Sequence, residues 1–304
     1  MDRYSRAFFE QAFEIRFLRL KATSFQDFFG DVMEKGYPGG DFIRVRPWGK
    51  QGDRKNDGYL RSKRMLFQAY APNEISESET NKKIRDDFDG AIPHWKEFFS
   101  TWVFVHNARE GLPPGVTAAL LGLEQSNGDV KVRWWGFEEL RQEVFRLNED
   151  DISALLGSAP MSKHFSSLGF ARIQPILDVI ARKGAPPEAE IAPVPVNKVQ
   201  INRLSENVEL LLQLGRRRSR LVGDFLAAYP DPQYGDDVVQ AFRSRYDELK
   251  ASSRSPDETF MELQIFAGGD ATGDPGHQAA VLTVLTYLFD QCDIFEREAA
   301  TAEP

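Results

Sequence analysis

The sequence predicts a mixed α/β domain followed by an all-α domain, because strand-like and helical runs alternate through the first half and helical runs alone follow a Pro-rich break. Two runs are strongly β-type, TWVFVHN at 101–107 and VKVRWW at 130–135. The break is GAPPEAEIAPVPV at 184–196, extended in character and a poor fit to either regular structure.

Taken in order, residues 2–18 set Phe8, Phe9, Ala12, Phe13, Ile15 and Phe17 at helical intervals. A second helix fits 24–35, with Ser24 as N-cap and GYPGG as its stop. Residues 41–48 alternate as a strand does, and 58–62 and 65–71 read as two more strands joined tightly. A polar-faced helix or helix pair fits 76–99, with a break expected near Pro93; GLPPG and a short helix lie between the two β-type runs. Helix, three strands, helix, strand, helix, strand implies one mixed central sheet flanked by helices. After Phe137 the pattern turns helical, with helices expected at 202–214, 218–229, 236–252 and 277–296. We place the α/β domain at 1–150, a helical connector and Pro-rich linker at 151–195, and the helical domain at 196–304.

Bulk properties narrow the function. At 304 residues the chain has room for two cores, and 41% hydrophobic with 28% charged residues is globular composition. A net charge of -8 argues against a uniformly basic nucleic-acid coat, though not against a local basic patch. The single cysteine, Cys292, forms neither an internal disulfide nor a cysteine-based zinc cluster. The charged N-terminus does not read as a signal peptide, and the apolar stretch 279–289 is far short of the ~20 residues of a membrane span. A cytoplasmic protein without membrane association is expected.

Chemistry concentrates in GDRKNDGYLRSKRMLFQAYAP, residues 52–72. A turn centred on Ser62 and Lys63 sets Asp57 opposite Gln68 and Lys55 opposite Tyr70, and opposed residues carry Cβ atoms ~5 Å apart on one sheet face. Phe67, Ala69 and Ala71 then fall on the other face. Gly49 and Gly52 would let the chain bend into the first strand, with Asp53 near the rim. The competing reading is that Asn56 and Asp57 make only a turn or cap. Of the histidines, His106 at a strand end is the one with functional potential. The basic run LGRRRSR at 214–220 suits either an acidic partner or a solvated helix end.

A helix, a strand, and a hairpin with Asp on its first strand and an acidic or amide residue on its second resembles the restriction-endonuclease-like core of the PD-(D/E)XK superfamily. The resemblance implies a Mg²⁺- or Mn²⁺-dependent nuclease acting on DNA. It assigns Asp57 and Gln68 as metal ligands and catalytic residues, and Gln26 of SFQDFF as the helix contribution, unless Asp27, Asp31 or Glu34 serves there. Tyr70 stands where the family carries lysine, so Lys55, or Lys82 or Lys83 from the next helix, would have to replace it.

The C-terminal part carries NKVQINRLSENVELLLQ, AYPDPQYGDDVVQAFRSRYDELK, SPDETFMELQIFAGG and QAAVLTVLTYLFDQCDIFE. These segments resemble the C-terminal domain of bacterial ABC-three component systems. That resemblance implies an antiphage or other conflict role, with an ABC-type ATPase and a small middle component as partners. Two functions stand open: a metal-dependent effector nuclease, or a catalytically silent nuclease-fold adaptor that couples DNA or protein to the ATPase.

Overall fold

The structure, a computed structural model, describes residues 1–45, 54–182, 198–252, 254–269, 274–291 and 295. Two units divide the chain, Phe13–Leu155 and the combination of Met1–Ala12 with Leu156–Pro304. The first holds the sheet and the second is helical.

In the sheet unit, β1 (Phe42–Arg44), β2 (Gly58–Leu60), β3 (Met65–Tyr70), β4 (Thr101–His106) and β5 (Lys131–Trp135) form one five-stranded sheet in sequence order. The first two pairings are antiparallel and the last two parallel. A tight turn suffices for β2–β3, whereas each parallel step needs a crossover. Those crossovers are α3 (Glu77–Trp95) and α4 (Pro114–Ser126), and both lie on the same face of the sheet. Same-handed crossovers that advance in one direction across a sheet must share a face.

Strand alternation separates two cores. Leu66, Trp102, Phe104 and Val132 point to α3 and α4, where Ile84, Phe88, Ala91, Val116 and Leu120 cover them. Phe67 points the other way, against Phe29 of α2 (Ala22–Gly36) at 5.3 Å and Trp135 at 5.0 Å between ring centroids. On that side, Phe13 and Phe17 of α1 (Arg3–Arg19) each stand 5.2 Å from Phe137, the first residue of α5 (Phe137–Phe145). The mixed sheet flanked by helices is therefore as expected.

In the sheet unit three details differ from the sequence reading. Ser24 is not the cap of α2: the helix starts earlier, after Lys21, because the Ala22 N–H bonds to the Ala71 carbonyl at 2.7 Å. Pro93 does not break α3, which runs through it to Trp95; so close to the helix end, little of the backbone ladder remains to disrupt. Of the expected strand at 41–48, Phe42–Arg44 is observed, and residues 46–48, like Gly49, Gly52 and Asp53, lie outside the described residues.

The helical unit contains α7 (Ser162–Ser166), α8 (Phe170–Ala181), α9 (Lys198–Ile201), α10 (Glu206–Arg216), α11 (Arg220–Ala228), α12 (Tyr234–Ala251), α13 (Pro256–Phe266) and α14 (Pro275–Gln291). The eight-residue α6 (Glu149–Leu156) precedes them. Helix α14 is buried from Gln278 to Thr286 without interruption, the pattern of a helix enclosed on all sides. Helix α10 crosses it in direct contact at Gly215, where any Cβ would collide with Thr286 and the Leu282 carbonyl. The expected helix at 202–214 is broken at Arg203, whose φ of +54° ends α9, and restarts at the Ser205 N-cap. Helix α13 falls between the expected helices at 236–252 and 277–296, where the sequence reading assigned none; Ser255 and Glu258 form its capping box and Pro256 opens its first turn. No described helix is long and apolar enough to cross a membrane.

Candidate functional site

The β2–β3 hairpin carries the register expected from a turn at Ser62 and Lys63, with Gly58 opposite Phe67, Tyr59 opposite Leu66 and Leu60 opposite Met65. The ladder ends there. Asp57 donates its N–H to the Phe67 carbonyl at 2.9 Å instead of exchanging bonds with Gln68. Its carboxylate reaches onward, where Oδ2 accepts the Ala69 N–H at 2.7 Å. Gln26 of α2 meets the same residue from the other side, its Nε2 donating to the Ala69 carbonyl at 3.4 Å. The side chains of Asp57 and Gln26 thus converge on one residue of β3, next to Gln68.

Asn56 makes the turn that the competing reading anticipated: its Oδ1 accepts the Gly58 N–H at 2.9 Å. The residue is fully buried, and its Nδ2 has no hydrogen-bond partner among the described residues. Just before it, Arg54 and Lys55 have φ of +53° and +61°, a left-handed pair without glycine. Two successive non-glycine residues held there store backbone strain, which the surrounding structure must hold in place.

That backbone aims Lys55 at α3. Gly90 leaves room, since a Cβ there would lie 2.8 Å from Lys55 Cγ. Lys55 Nζ is 3.0 Å from Oδ1 of Asp87, and Lys83 approaches Oδ2 from one helical turn away. Asp87 is fully buried, but its oxygens lack hydrogen-bond geometry, so charge compensation rather than directional bonding holds the carboxylate. Sequence reasoning missed Asp87. The signal was present: it falls on the apolar stripe of α3 with Thr80, Ile84, Phe88 and Ala91, where an unexplained carboxylate is out of place.

Gln68 is 2% exposed, and its Oε1 has no hydrogen-bond partner among the described residues. Such an acceptor in a sheet core costs roughly 1–3 kcal/mol unless something satisfies it. Tyr70 packs on Phe104 at 6.0 Å between ring centroids. Lys82 is exposed. Asp27, Asp31 and Glu34 do not take the place of Gln26; all three gather around Arg44 of β1, with Asp31 at 2.6 Å. Among the described residues no three His, Cys, Asp or Glu side chains form a metal-type cluster. The donors that fit a hard cation here are the Asp57 carboxylate and the orphaned Gln68 amide oxygen.

His106 sits at the end of β4, 3% exposed, and lines a cavity of about 310 Å³ with Arg109, Trp134 and Glu139. Its Nδ1 accepts the Ala108 N–H at 3.2 Å, so the neutral ring carries its proton on Nε2. Burial lowers its pKa from 6.5 to about 4. An unfolded chain binds this proton near pH 6.5 and the folded chain only near pH 4. The stabilisation is therefore complete above pH 6.5 and is lost as pH falls toward 4, about 3 kcal/mol in all. Urea midpoints across that window should fall less steeply for His106→Gln than for the parent; equal slopes would exclude His106 as the cause.

In the helical unit the basic run at 214–220 is largely absorbed by structure. Arg216 makes two 2.9 Å bonds to the Asp290 carboxylate, Arg217 lies over the Tyr4 ring and donates to Ser162, and Arg218 donates to the Leu168 carbonyl. Lys198 is buried with its ammonium 2.9 Å from the Phe289 carbonyl, near the C-terminal end of α14. Phe295 packs on Tyr246 and Phe289 at 5.0 and 5.4 Å. Its neighbours Cys292, Asp293, Ile294 and Glu296, and the linker at 184–196, lie outside the described residues.

No curated protein and no solved structure matches this chain. A family model does: residues 171–296, from the first turn of α8 to just past Phe295, match C-terminal domain 10 of the ABC-three component (ABC-3C) systems.

Proposed function

We propose that this chain is an effector of a bacterial antiphage or related conflict system, and that its sheet unit is a Mg²⁺- or Mn²⁺-dependent nuclease of restriction-endonuclease-like fold acting on DNA. The helical unit would couple it to an ABC-type ATPase and a small middle component. Support for the system comes from the match over residues 171–296. Support for the activity comes chiefly from one juxtaposition: Asp57, just before β2, bonds the N–H of Ala69, whose neighbour in β3 is a buried Gln68 with an unpartnered Oε1. The strand order, a helix followed by three antiparallel strands and then a helix and a parallel strand, agrees with that fold.

In this reading Asp57 and Gln68 would hold the cation, and Gln26 would fix the Ala69 backbone on which Asp57 is aligned. When bound, the cation supplies a polarised phosphate and an activated water. The Lys55 ammonium, paired with Asp87, would take over from the strand lysine that Tyr70 replaces. The left-handed Arg54–Lys55 backbone belongs to the same device. A cytoplasmic location accords with the role.

A second reading, the catalytically silent adaptor, draws on the pairing of both Lys55 and Lys83 with Asp87. DNA incubated with Mg²⁺ or Mn²⁺, with the chain alone and with its ATPase partner, separates the two. The nuclease reading expects cleavage that disappears in Asp57→Ala and Gln68→Ala. Inactivity of the parent protein in every combination leaves the adaptor.

A further inference from the structure

The hairpin that carries Asp57 also forms one wall of an open groove of about 940 Å³. Its lining includes Ile43 of β1, Tyr59 of β2, Arg61 and Arg64 of the turn, and Trp95 and Phe98 at the end of α3. Phe98 is 52% exposed and Ile43 42%, unusual for large apolar side chains beside charged ones. Hydrogen bonds fix the aromatic wall. Tyr59 donates its hydroxyl to the Phe98 carbonyl at 2.7 Å, Trp95 donates Nε1 to the Arg54 carbonyl at 3.2 Å, and the Trp95 and Phe98 rings meet edge to face.

The groove also carries two arginines. Arg61 and Arg64 are exposed in the four-residue turn, on a chain whose net charge is -8, whereas Lys63 turns its ammonium to the Tyr37 hydroxyl at 3.1 Å. The carboxylate of Asp41, which also lines the groove, accepts from the Ser62 N–H and hydroxyl at 2.8 and 2.7 Å. Arg64 uses Nη2 on the Glu97 carbonyl, and Arg61 projects from the turn beside it. Aromatic faces beside a local excess of cations fit unstacked bases and phosphates, since stacking tolerates any base and arginine tracks the backbone. A duplex, whose bases are already stacked, has no use for the aromatic wall.

We propose that this groove binds single-stranded nucleic acid, bases stacked on Phe98 and Trp95 and phosphates held by Arg61 and Arg64. Tyr59 lies two residues from Asp57, about 7 Å along an extended strand at ~3.3 Å per residue. A strand in the groove is thereby led toward the Asp57–Gln68 pair. This names the form of substrate for the nuclease reading; binding in the groove stands without that reading, and only cleavage rests on it.

The test is fluorescence anisotropy of the full chain with a labelled thymidine oligonucleotide and with a duplex of equal length. Both are measured in EDTA, so that cleavage plays no part. Single strands should bind more tightly than duplex. Phe98→Ala should weaken binding roughly tenfold, the scale of one lost base stack. Arg61→Glu should weaken it and flatten its salt dependence, whereas Arg220→Glu, which changes total charge equally at a 93% exposed site in the helical unit, should not. Circular dichroism checks that each variant is folded. No binding by the parent protein, tighter binding to duplex, or equal losses in Arg61→Glu and Arg220→Glu would overturn the proposal. Binding with this pattern but without cleavage in metal would sustain the groove and remove the nuclease.

Discussion

Asp57→Ala is expected to lower metal-dependent cleavage by about a hundredfold or more, since changing even an outer partner of a metal ligand costs 10–100-fold. The substitution also has a structural side, because it removes the acceptor for the Ala69 N–H. Asp57→Asn separates the two effects. Asparagine keeps an oxygen for Ala69 but loses the charge, so it should retain the parent's thermal stability while remaining inactive. Recovery of activity in Asp57→Asn would assign Asp57 a scaffolding role. Gln68→Met gives a complementary signature: it fills similar space without an orphaned acceptor, so stability should hold or rise while cleavage falls. A group retained at a cost to stability is what a binding site, rather than a core, requires.

Trp102→Ala should destabilise the sheet unit by about 3–5 kcal/mol, a large share of the stability of a typical domain. Trp102 is fully buried in β4, with Phe88 of α3 at 5.5 Å and Phe104 at 6.0 Å between ring centroids, so its removal opens a cavity between the strands and the crossover helices. A fall of roughly 10 °C or more in the melting of this unit is expected, read by near-ultraviolet circular dichroism. Trp102→Phe should cost far less, because the indole Nε1 is itself buried without a partner among the described residues. Equal melting of parent and Trp102→Ala would show that this face of the sheet is not the principal core.

The sheet was legible because its pattern is local. TWVFVHN and VKVRWW carry strong β propensity on their own, and the β2–β3 register follows from the turn at Ser62 and Lys63. The end of that register was not legible, since the Asp57 N–H turns to Phe67 only in the presence of the left-handed residues before it, Arg54 and Lys55, which no propensity favours there. Asp87 escaped notice because a carboxylate on a polar-faced helix reads as solvated until the cations that permit its burial are placed. Helix α13 was missed although its capping box is written in SPDE, because Ser and Pro side by side also punctuate loops. Lys198 was invisible for a different reason: its partner, the Phe289 carbonyl, is distant in sequence.

Direct titration of Mn²⁺ into the full chain, read by the loss of the free-ion signal in electron paramagnetic resonance, tests cation binding by Asp57 and Gln68 without needing a substrate. The parent protein should show one site that weakens at least about tenfold in Gln68→Met and is lost in Asp57→Asn. Absence of a site in the parent, or a site that survives both substitutions unchanged, would contradict a metal centre built on this pair.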